Sequence, residues 1–204
     1  MRVGKRLQDH VKAWCTVHKI SLIALCVIGA VVVAGNGLYL FGWRDPNPTL
    51  QLSGLAVQAT PRVLEGVDTI DPNNGFTTQA LGYAAAKELL SGDMPFWNHY
   101  EGIGSPLAGE MQSAALSPFT LLLALPGGLL LMHIILEVIA GFFTYLFLKK
   151  LNFSDTVAVI GAAAFALNGT FAWLTNAVFN PIAFLPVLFY ASECILSAVK
   201  KQER

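Results

Sequence analysis

The chain has 204 residues and no formal net charge, and 54% of its residues are hydrophobic while only 13% are charged. Soluble domains carry about 25% charged residues on average, so this composition indicates a membrane protein. The basic residues form no clustered face outside the short terminal tails, which excludes a nucleic-acid-binding protein from our expectations.

Four apolar runs are long enough to cross a bilayer, which takes about 20 helical residues. They lie at residues 20–41, 129–148, 157–175 and 182–199. A further run within residues 117–128 is shorter, and we interpret it as a re-entrant or interfacial segment, or as a helix leading into the second span. The first run follows a long amino-terminal region and continues past Ala34 to Phe41, which favours an uncleaved anchor over a signal peptide.

Basic residues orient these spans, because Lys and Arg near span ends remain on the cytoplasmic side. Ten of the thirteen basic residues fall in residues 1–19, at Lys149 and Lys150, or in residues 200–204. The predicted topology therefore places both termini in the cytoplasm and residues 42–116 outside. That outer loop has three basic and eight acidic residues, a formal charge of −5. Its sequence contains no cysteine, so disulfides and thiolate zinc sites are not expected there.

The outer loop contains one predicted helix. It begins near Thr77, which can cap it, and ends near Leu90, because Gly92 and Pro95 are typical of a helix terminus. Its apolar residues recur at near-helical spacing, so we expect one face to lie on the membrane surface, with Gln79 and Lys87 directed elsewhere. The predicted fold is thus an all-α integral membrane protein with about four transmembrane helices and a large extracytoplasmic first loop containing an interfacial helix.

Several spaced motifs from about Asp71 onward resemble a known family. They are Ser91–Asn98 (SGDMPFWN), Gly104–Ala108 (GSPLA), Gln112–Ala114 (QSA), Pro118, His133, Ala140–Gly141, Gly161–Phe165, Asn180–Pro181 and Pro186. In this order they are similar to YfhO-like bacterial integral membrane proteins, which belong with the GT-C membrane glycosyltransferases. Such enzymes usually have more spans than four, so the chain resembles the amino-terminal part of a GT-C fold.

The resemblance implies transfer of a sugar from a polyprenyl-phosphate donor to a cell-envelope acceptor, outside the bacterial inner membrane. It also implies an essential acid early in the first outer loop, where Asp71 and Asp68 are the candidates. A carboxylate can take the proton of an acceptor hydroxyl, and a second one can help to hold a divalent cation, Mg or Mn, against the donor phosphate. Without the family, either residue is equally well explained as a turn former or cap.

Further candidate substrate-binding residues follow the interfacial helix. His99 and Glu101 can bind a hydroxyl or a phosphate, or can be solvated loop residues. Trp97 and Tyr100 can stack on a sugar, and are equally typical of interface anchors. Gln112 matches the family pattern, as does Ser113, and a structural role in fixing the loop by hydrogen bonds is our first interpretation of both.

Two ionisable residues share one face of the second span, because His133 and Glu137 are four residues apart. Buried ionisable residues in spans usually face the protein interior and mark functional paths. Agreement with the family suggests that His133 contacts a lipid phosphate, and a hydrogen bond between helices is the structural alternative.

Three interpretations of the partial resemblance stay open: an inactive fragment, a half-enzyme that needs a second membrane chain, or a small relative that binds a lipid-linked sugar without transferring it. Outside the transferases, the alternatives are a small transporter or flippase subunit, with His133 and Glu137 lining a polar path, and a structural partner in cell-envelope assembly.

Overall fold

The computed structural model describes residues 22–43, 56–57, 62–63, 77–169 and 177–202. These residues are mostly helical and form two compact units. The described residues of the first unit lie before Gly35, in Val138–Leu167 and from Phe184 onward. Those of the second unit lie in Gly35–Glu137 and Asn168–Ala183. The predicted catalytic carboxylates Asp68 and Asp71 lie outside the described residues.

The elements follow one another in this order. Helix α1 is Leu22–Gly35, α2 is Gly37–Leu40, β1 is Ala56–Val57, β2 is Arg62–Val63, α3 is Thr78–Ser91, β3 is Trp97–Asn98 and β4 is Ser105–Pro106. A first 3₁₀ helix, Pro118–Ala124, precedes α4, Gly128–Lys150, and α5, Asp155–Ala166. A second 3₁₀ helix, Ala177–Phe184, leads into α6, Leu185–Gln202. Strands β1 and β2 pair antiparallel, as do β3 and β4, and neither pair was predicted.

Among the described residues, two segments are long and apolar enough to cross a membrane, namely Gly128–Lys150 and Asn180–Lys200. The other two predicted spans differ from their predicted bounds. The run at 20–41 is interrupted at Asn36, between α1 and α2, and the helix predicted over 157–175 ends at Ala166. Each of these two helix ends is followed by an Asn-Gly pair, at residues 36–37 and 168–169. Asn and Gly have low helix propensity, so both pairs favour the end of a helix.

Small residues let the helices of the first unit approach closely. Ala24, Ile28 and Val32 recur every four residues on α1 and are buried, as are Ala158, Ala162 and Ala166 on α5. A Cβ at Gly141 of α4 would lie 2.7 Å from Ile28 Cγ2 and 3.2 Å from the Cβ of Ala166. A Cβ at Gly161 would lie 2.7 Å from Leu148 Cδ1. Gly141 and Gly161 therefore lie where neighbouring side chains leave no room for a methyl group.

The turn between α4 and α5 is fixed by polar contacts. The Tyr145 hydroxyl donates to Asp155 Oδ1 at 3.1 Å, and Lys149 Nζ lies 3.0 Å from the same oxygen. Lys149 also donates to the Phe153 carbonyl, and Ser154 caps α5 by accepting from the Val157 amide. The hydrogen bond from Lys149 holds the pKa of Asp155 below its usual range.

In the second unit, α3 packs against the first 3₁₀ helix. The predicted helix is confirmed within one residue at each end, and it stops at Gly92, whose φ of +87° suits a residue without a Cβ. Thr77 occupies the N-cap position, but its side chain makes no capping hydrogen bond. Gly82 allows the close contact, since a Cβ there would collide with Leu123 of the 3₁₀ helix.

The exposed face of α3 differs from the predicted one. Ala80, Tyr83 and Leu90 are exposed as expected, but Lys87 lies on the same face, with its ammonium 5.5 Å from the centre of the Tyr83 ring. The expectation that Lys87 would be directed elsewhere is wrong, because residues four apart share one helix face. The small residues Gly82, Ala85 and Ala86 form the buried face instead.

Candidate functional site

A buried polar cluster, formed by Asn36, His133 and Glu137, lies in the second unit. The Asn36 Nδ2 group donates to Glu137 Oε2 at 2.6 Å, and His133 Nε2 lies 3.0 Å from Glu137 Oε1. The Asn36 residue is 6% exposed and the Glu137 residue is 4% exposed. Both carboxylate oxygens are therefore hydrogen-bonded, which is the condition under which a buried carboxylate is tolerated.

Two features of the backbone bring this cluster together. His133 and Glu137 are one turn apart on α4, so their side chains meet on one face as predicted. Asn36 lies where α1 stops and α2 begins, and its amide reaches a carboxylate 101 residues further along the chain. Sequence reasoning missed Asn36, although a polar residue followed by Gly37 inside an apolar run is a usable signal of a helix break.

The Glu137 carboxylate orients the imidazole of His133, but the two ring nitrogens differ in their hydrogen bonding. The Nε2 atom of the ring faces Glu137, while its Nδ1 atom is buried and has no hydrogen-bond partner among the described residues. The side chain of His133 is 12% exposed and that of Glu137 is 6% exposed. The His133 side chain as a whole is thus slightly more accessible than the carboxylate that orients it, although its Nδ1 atom is buried.

A second polar arrangement stabilises the β3–β4 hairpin. Asn98 pairs with Ser105 across the strands, and the Asn98 side chain accepts from the Tyr100 amide at 3.0 Å. Glu101 Oε2 accepts from Ser105 Oγ at 3.1 Å and lies 3.4 Å from Asn98 Nδ2. The Glu101 carboxylate is therefore engaged in holding the hairpin, which favours a structural role over the substrate-binding role predicted for it.

The hairpin directs several large side chains to the outside. The Trp97 indole lies against Gly104, which has a φ of +96° and leaves no room for a Cβ. Tyr100 and Ile103 are 87% and 101% exposed, and His99 is exposed beside them. The predicted candidates Trp97, His99 and Tyr100 therefore share one hairpin, whereas His133 belongs to the buried polar cluster.

Ser113 and Gln112 have different surroundings. Ser113 is fully buried, and its hydroxyl lies within hydrogen-bond distance of the Leu107 and Glu110 carbonyls while accepting from the Ala115 amide. This confirms the structural interpretation for Ser113. Gln112 is exposed, so it does not share the buried bonds of its neighbour.

Within the described ranges, no group of three or more His, Cys, Asp or Glu side chains is arranged to hold a metal ion. Asp68 and Asp71, the residues proposed for a cation, lie outside those ranges. The donor set that the structure does describe consists of one imidazole, one carboxylate and one amide, which is typical of a hydrogen-bonding site rather than a closed metal site.

Comparison with known proteins adds no relative. No family model, no curated protein and no solved structure matches the chain. Its function is therefore argued from its own residues and from the motif resemblance described above.

Proposed function

We propose that the chain is a multi-pass protein of the bacterial inner membrane, with both termini in the cytoplasm. Segment Asn180–Lys200 supports membrane insertion, since only 11% of its most apolar window is buried by the rest of the chain. A core helix of a soluble protein would be mostly buried. Leu188, Ile195 and Leu196 are all more than half exposed, as expected for side chains that face lipid.

The function that we assign to it is GT-C-like: sugar transfer from a polyprenyl-phosphate donor to a cell-envelope acceptor on the outer side. One observation carries the assignment. Residues 77–124, which contain the densest part of the motif resemblance, belong to the second unit and carry large exposed aromatic and apolar side chains, among them Phe96, Tyr100 and Ile103. Such side chains suit the boundary between water and lipid, where a lipid-linked sugar is presented.

Asp71 and Asp68 supply the chemistry in this proposal. Asp71 takes the proton of the acceptor hydroxyl as the bond between sugar and donor phosphate breaks. Asp68 helps to hold a Mg or Mn ion against that phosphate, because hard cations prefer oxygen ligands. A second membrane chain is the proposed partner.

Sugar transfer is tested with membranes that contain this chain, alone and with a co-expressed membrane partner, and a polyprenyl-phosphate-linked sugar. Asp71→Asn and Asp68→Asn should each lower the rate at least about a hundredfold, the usual contribution of general acid-base catalysis. Asp93→Asn, which changes an exposed carboxylate in the same loop, is the matched control and should transfer at the wild-type rate. Unchanged transfer in both Asp71→Asn and Asp68→Asn would rule out the acid-base assignment.

The proposed topology has its own test. His99 is exposed, so a cysteine at this position, in a chain whose three native cysteines are replaced by serine, is available to a membrane-impermeant maleimide. Labelling of intact spheroplasts is expected. Labelling that requires disrupted or inverted membranes would place the loop in the cytoplasm and remove the proposed donor side.

The buried polar cluster favours a second candidate function, a transporter or flippase subunit. An ionisable pair at 3.0 Å, buried in an apolar helix, is typical of a polar path through a membrane. Under this alternative, Glu137→Gln abolishes lipid or ion movement into proteoliposomes and leaves sugar transfer intact. Movement at the wild-type rate in Glu137→Gln would exclude it.

A further inference from the structure

The loop at the end of the β3–β4 hairpin, residues 99–104, presents an aliphatic side chain to the outside. Ile103 is 101% exposed and lies between Gly102 and Gly104, whose φ angles are +51° and +96°. Tyr100, in the same loop, is 87% exposed. Single exposed apolar residues are common on soluble proteins. Here, however, the two most exposed large hydrophobic side chains among the described residues occur in one short loop.

Contacts within the hairpin hold this loop in one conformation. The Gly104 amide donates to the Glu101 carbonyl at 2.6 Å, and the Trp97 indole packs on Gly104. Gly102 and Gly104 both have φ angles in the left-handed region, which favours glycine. The exposure of Ile103 therefore follows from a fixed backbone, so little conformational entropy is lost when a partner covers it.

The ionisable groups of the loop lie close to the strands. Glu101 Oε2 accepts from Ser105 Oγ at 3.1 Å and lies 3.4 Å from Asn98 Nδ2, and Ser105 and Asn98 belong to the paired strands. His99 directly follows β3. The loop is therefore polar beside the strands and apolar at Ile103. This arrangement matches a lipid monolayer, in which hydrated headgroups and hydrocarbon are separated by about 5–10 Å.

The second unit is connected to the membrane by its own helix. It includes the first turns of α4, up to Glu137, and α4 is long and apolar enough to cross a bilayer. Exposed apolar side chains continue back along the chain, from Leu131 on α4 to Leu125 and Leu121. A surface that suits lipid thus extends from the span into the unit that carries the hairpin. This continuity favours the bilayer over a soluble protein as the partner of Ile103.

We propose that the tip at residues 100–103 inserts into the bilayer that holds α4, with Ile103 below the headgroups, Tyr100 among them and the Glu101 carboxylate in water. The inference rests on the proposed membrane insertion of the chain and does not depend on sugar transfer. It goes beyond the predicted anchoring role of Trp97 and Tyr100, because sequence reasoning assigned no role to Ile103.

Nitroxide labels on the full chain test this insertion in bilayers of phosphatidylcholine and phosphatidylglycerol. Ile103→Cys is labelled in a chain whose three native cysteines are replaced by serine, and the side chain it replaces is fully exposed. Paramagnetic resonance measures the collision rates of the label with oxygen, which concentrates in hydrocarbon, and with a neutral nickel complex, which stays in water. The ratio of these rates, oxygen over nickel, reports lipid contact.

The matched control is Asp93→Cys, in the same unit. Asp93 is exposed, and a carboxylate at the surface remains in water because its transfer into hydrocarbon is costly. The oxygen-to-nickel ratio should be several-fold higher at position 103 than at position 93. Equal ratios at the two positions would place the tip in water and overturn the inference. Low collision rates with both reagents at position 103 would indicate a protein contact and would also overturn it.

A third label separates this inference from the proposed function. Leu188→Cys lies on α6, where the native side chain is 63% exposed in a segment proposed to cross the membrane. A high ratio at position 188 with a low ratio at position 103 would contradict only the insertion of the tip. Low ratios at both positions would contradict the proposed membrane insertion of the chain, and the insertion of the tip with it.

Discussion

The two units differ in what they bury. Among the described residues, all seven buried polar or charged side chains belong to the second unit: Asn36, Thr78, Asn98, Ser113, Thr120, Glu137 and Asn180. The buried side chains described in the first unit are alanines and other apolar residues, with Tyr145 the only hydroxyl among them. Packing of small residues therefore holds the first unit together, whereas hydrogen bonds specify the second. We expect a functional site in the second unit, because burying polar groups costs free energy unless they are hydrogen-bonded.

The largest effect is expected where the second unit buries charge. Asn36→Ala removes the donor to Glu137 Oε2 and should lower the free energy of unfolding by about 1.5–3 kcal/mol, the range for hydrogen bonds to charged groups. Denaturant titration in detergent micelles measures this. In a Glu137→Gln background the cost of Asn36→Ala should shrink, and an unchanged cost would mean that the two side chains are not coupled.

Ser113 tests the hydrogen bonding of the second unit. Ser113→Ala leaves the buried Ala115 amide without its side-chain acceptor and should cost about 1–3 kcal/mol of unfolding free energy. Gln112→Ala, one residue away and exposed, should stay within about 0.5 kcal/mol of the wild type. Equal losses in the two variants would contradict the different roles assigned to them.

Gly141 tests the packing of the first unit. In Gly141→Ala the new methyl meets Ile28 and Ala166, and overpacking of this kind costs about 1–2 kcal/mol. Gly29→Ala in α1 is the matched control, since a Cβ there has no atom within 4 Å, and it should be neutral or slightly stabilising. Thermal unfolding followed by circular dichroism compares them. A stabilised Gly141→Ala would show that α1, α4 and α5 pack more loosely than described.

The smallest effect concerns Asp155, at the exposed edge of the first unit. Its pKa is lowered in the folded protein, chiefly by the hydrogen bond from Lys149, so its contribution is present above the unfolded pKa of about 3.9 and is lost as pH falls through the folded pKa. Asp155→Asn should lower the midpoint of thermal unfolding slightly at neutral pH. The difference from the wild type should vanish in acid and shrink in about 1 M salt. A difference that persists in acid would assign the effect to something other than this charge.

Residue types and spacings within short segments of the sequence predicted individual helices in both units. The bounds of α3 followed from Thr77, Gly92 and Pro95, and the shared face of His133 and Glu137 followed from their spacing. The length of the apolar runs predicted α4 and most of α6, because length and composition together decide which segments can cross a membrane.

Contacts between distant residues could not be predicted in the same way. Three such contacts each depend on two segments meeting: the Asn36 bond to Glu137, the Trp97 ring against Gly104, and the close approach of Leu123 to Gly82. A hydropathy pattern also treats residues 20–41 as one run, whereas the structure breaks the helix at Asn36, whose side-chain amide donates to Glu137. For Glu101, a loop carboxylate looked available for a ligand until its hydrogen bonds with Ser105 and Asn98 were known.

The bond between Asn36 and Glu137 also constrains the biogenesis of the protein. A ribosome adds about 5–20 residues per second, so the amide of Asn36 emerges about 5–20 seconds before the carboxylate that will accept from it. During that interval the Asn36 side chain lacks its final polar contact. Delivery of α4 then completes the contact and closes the interval.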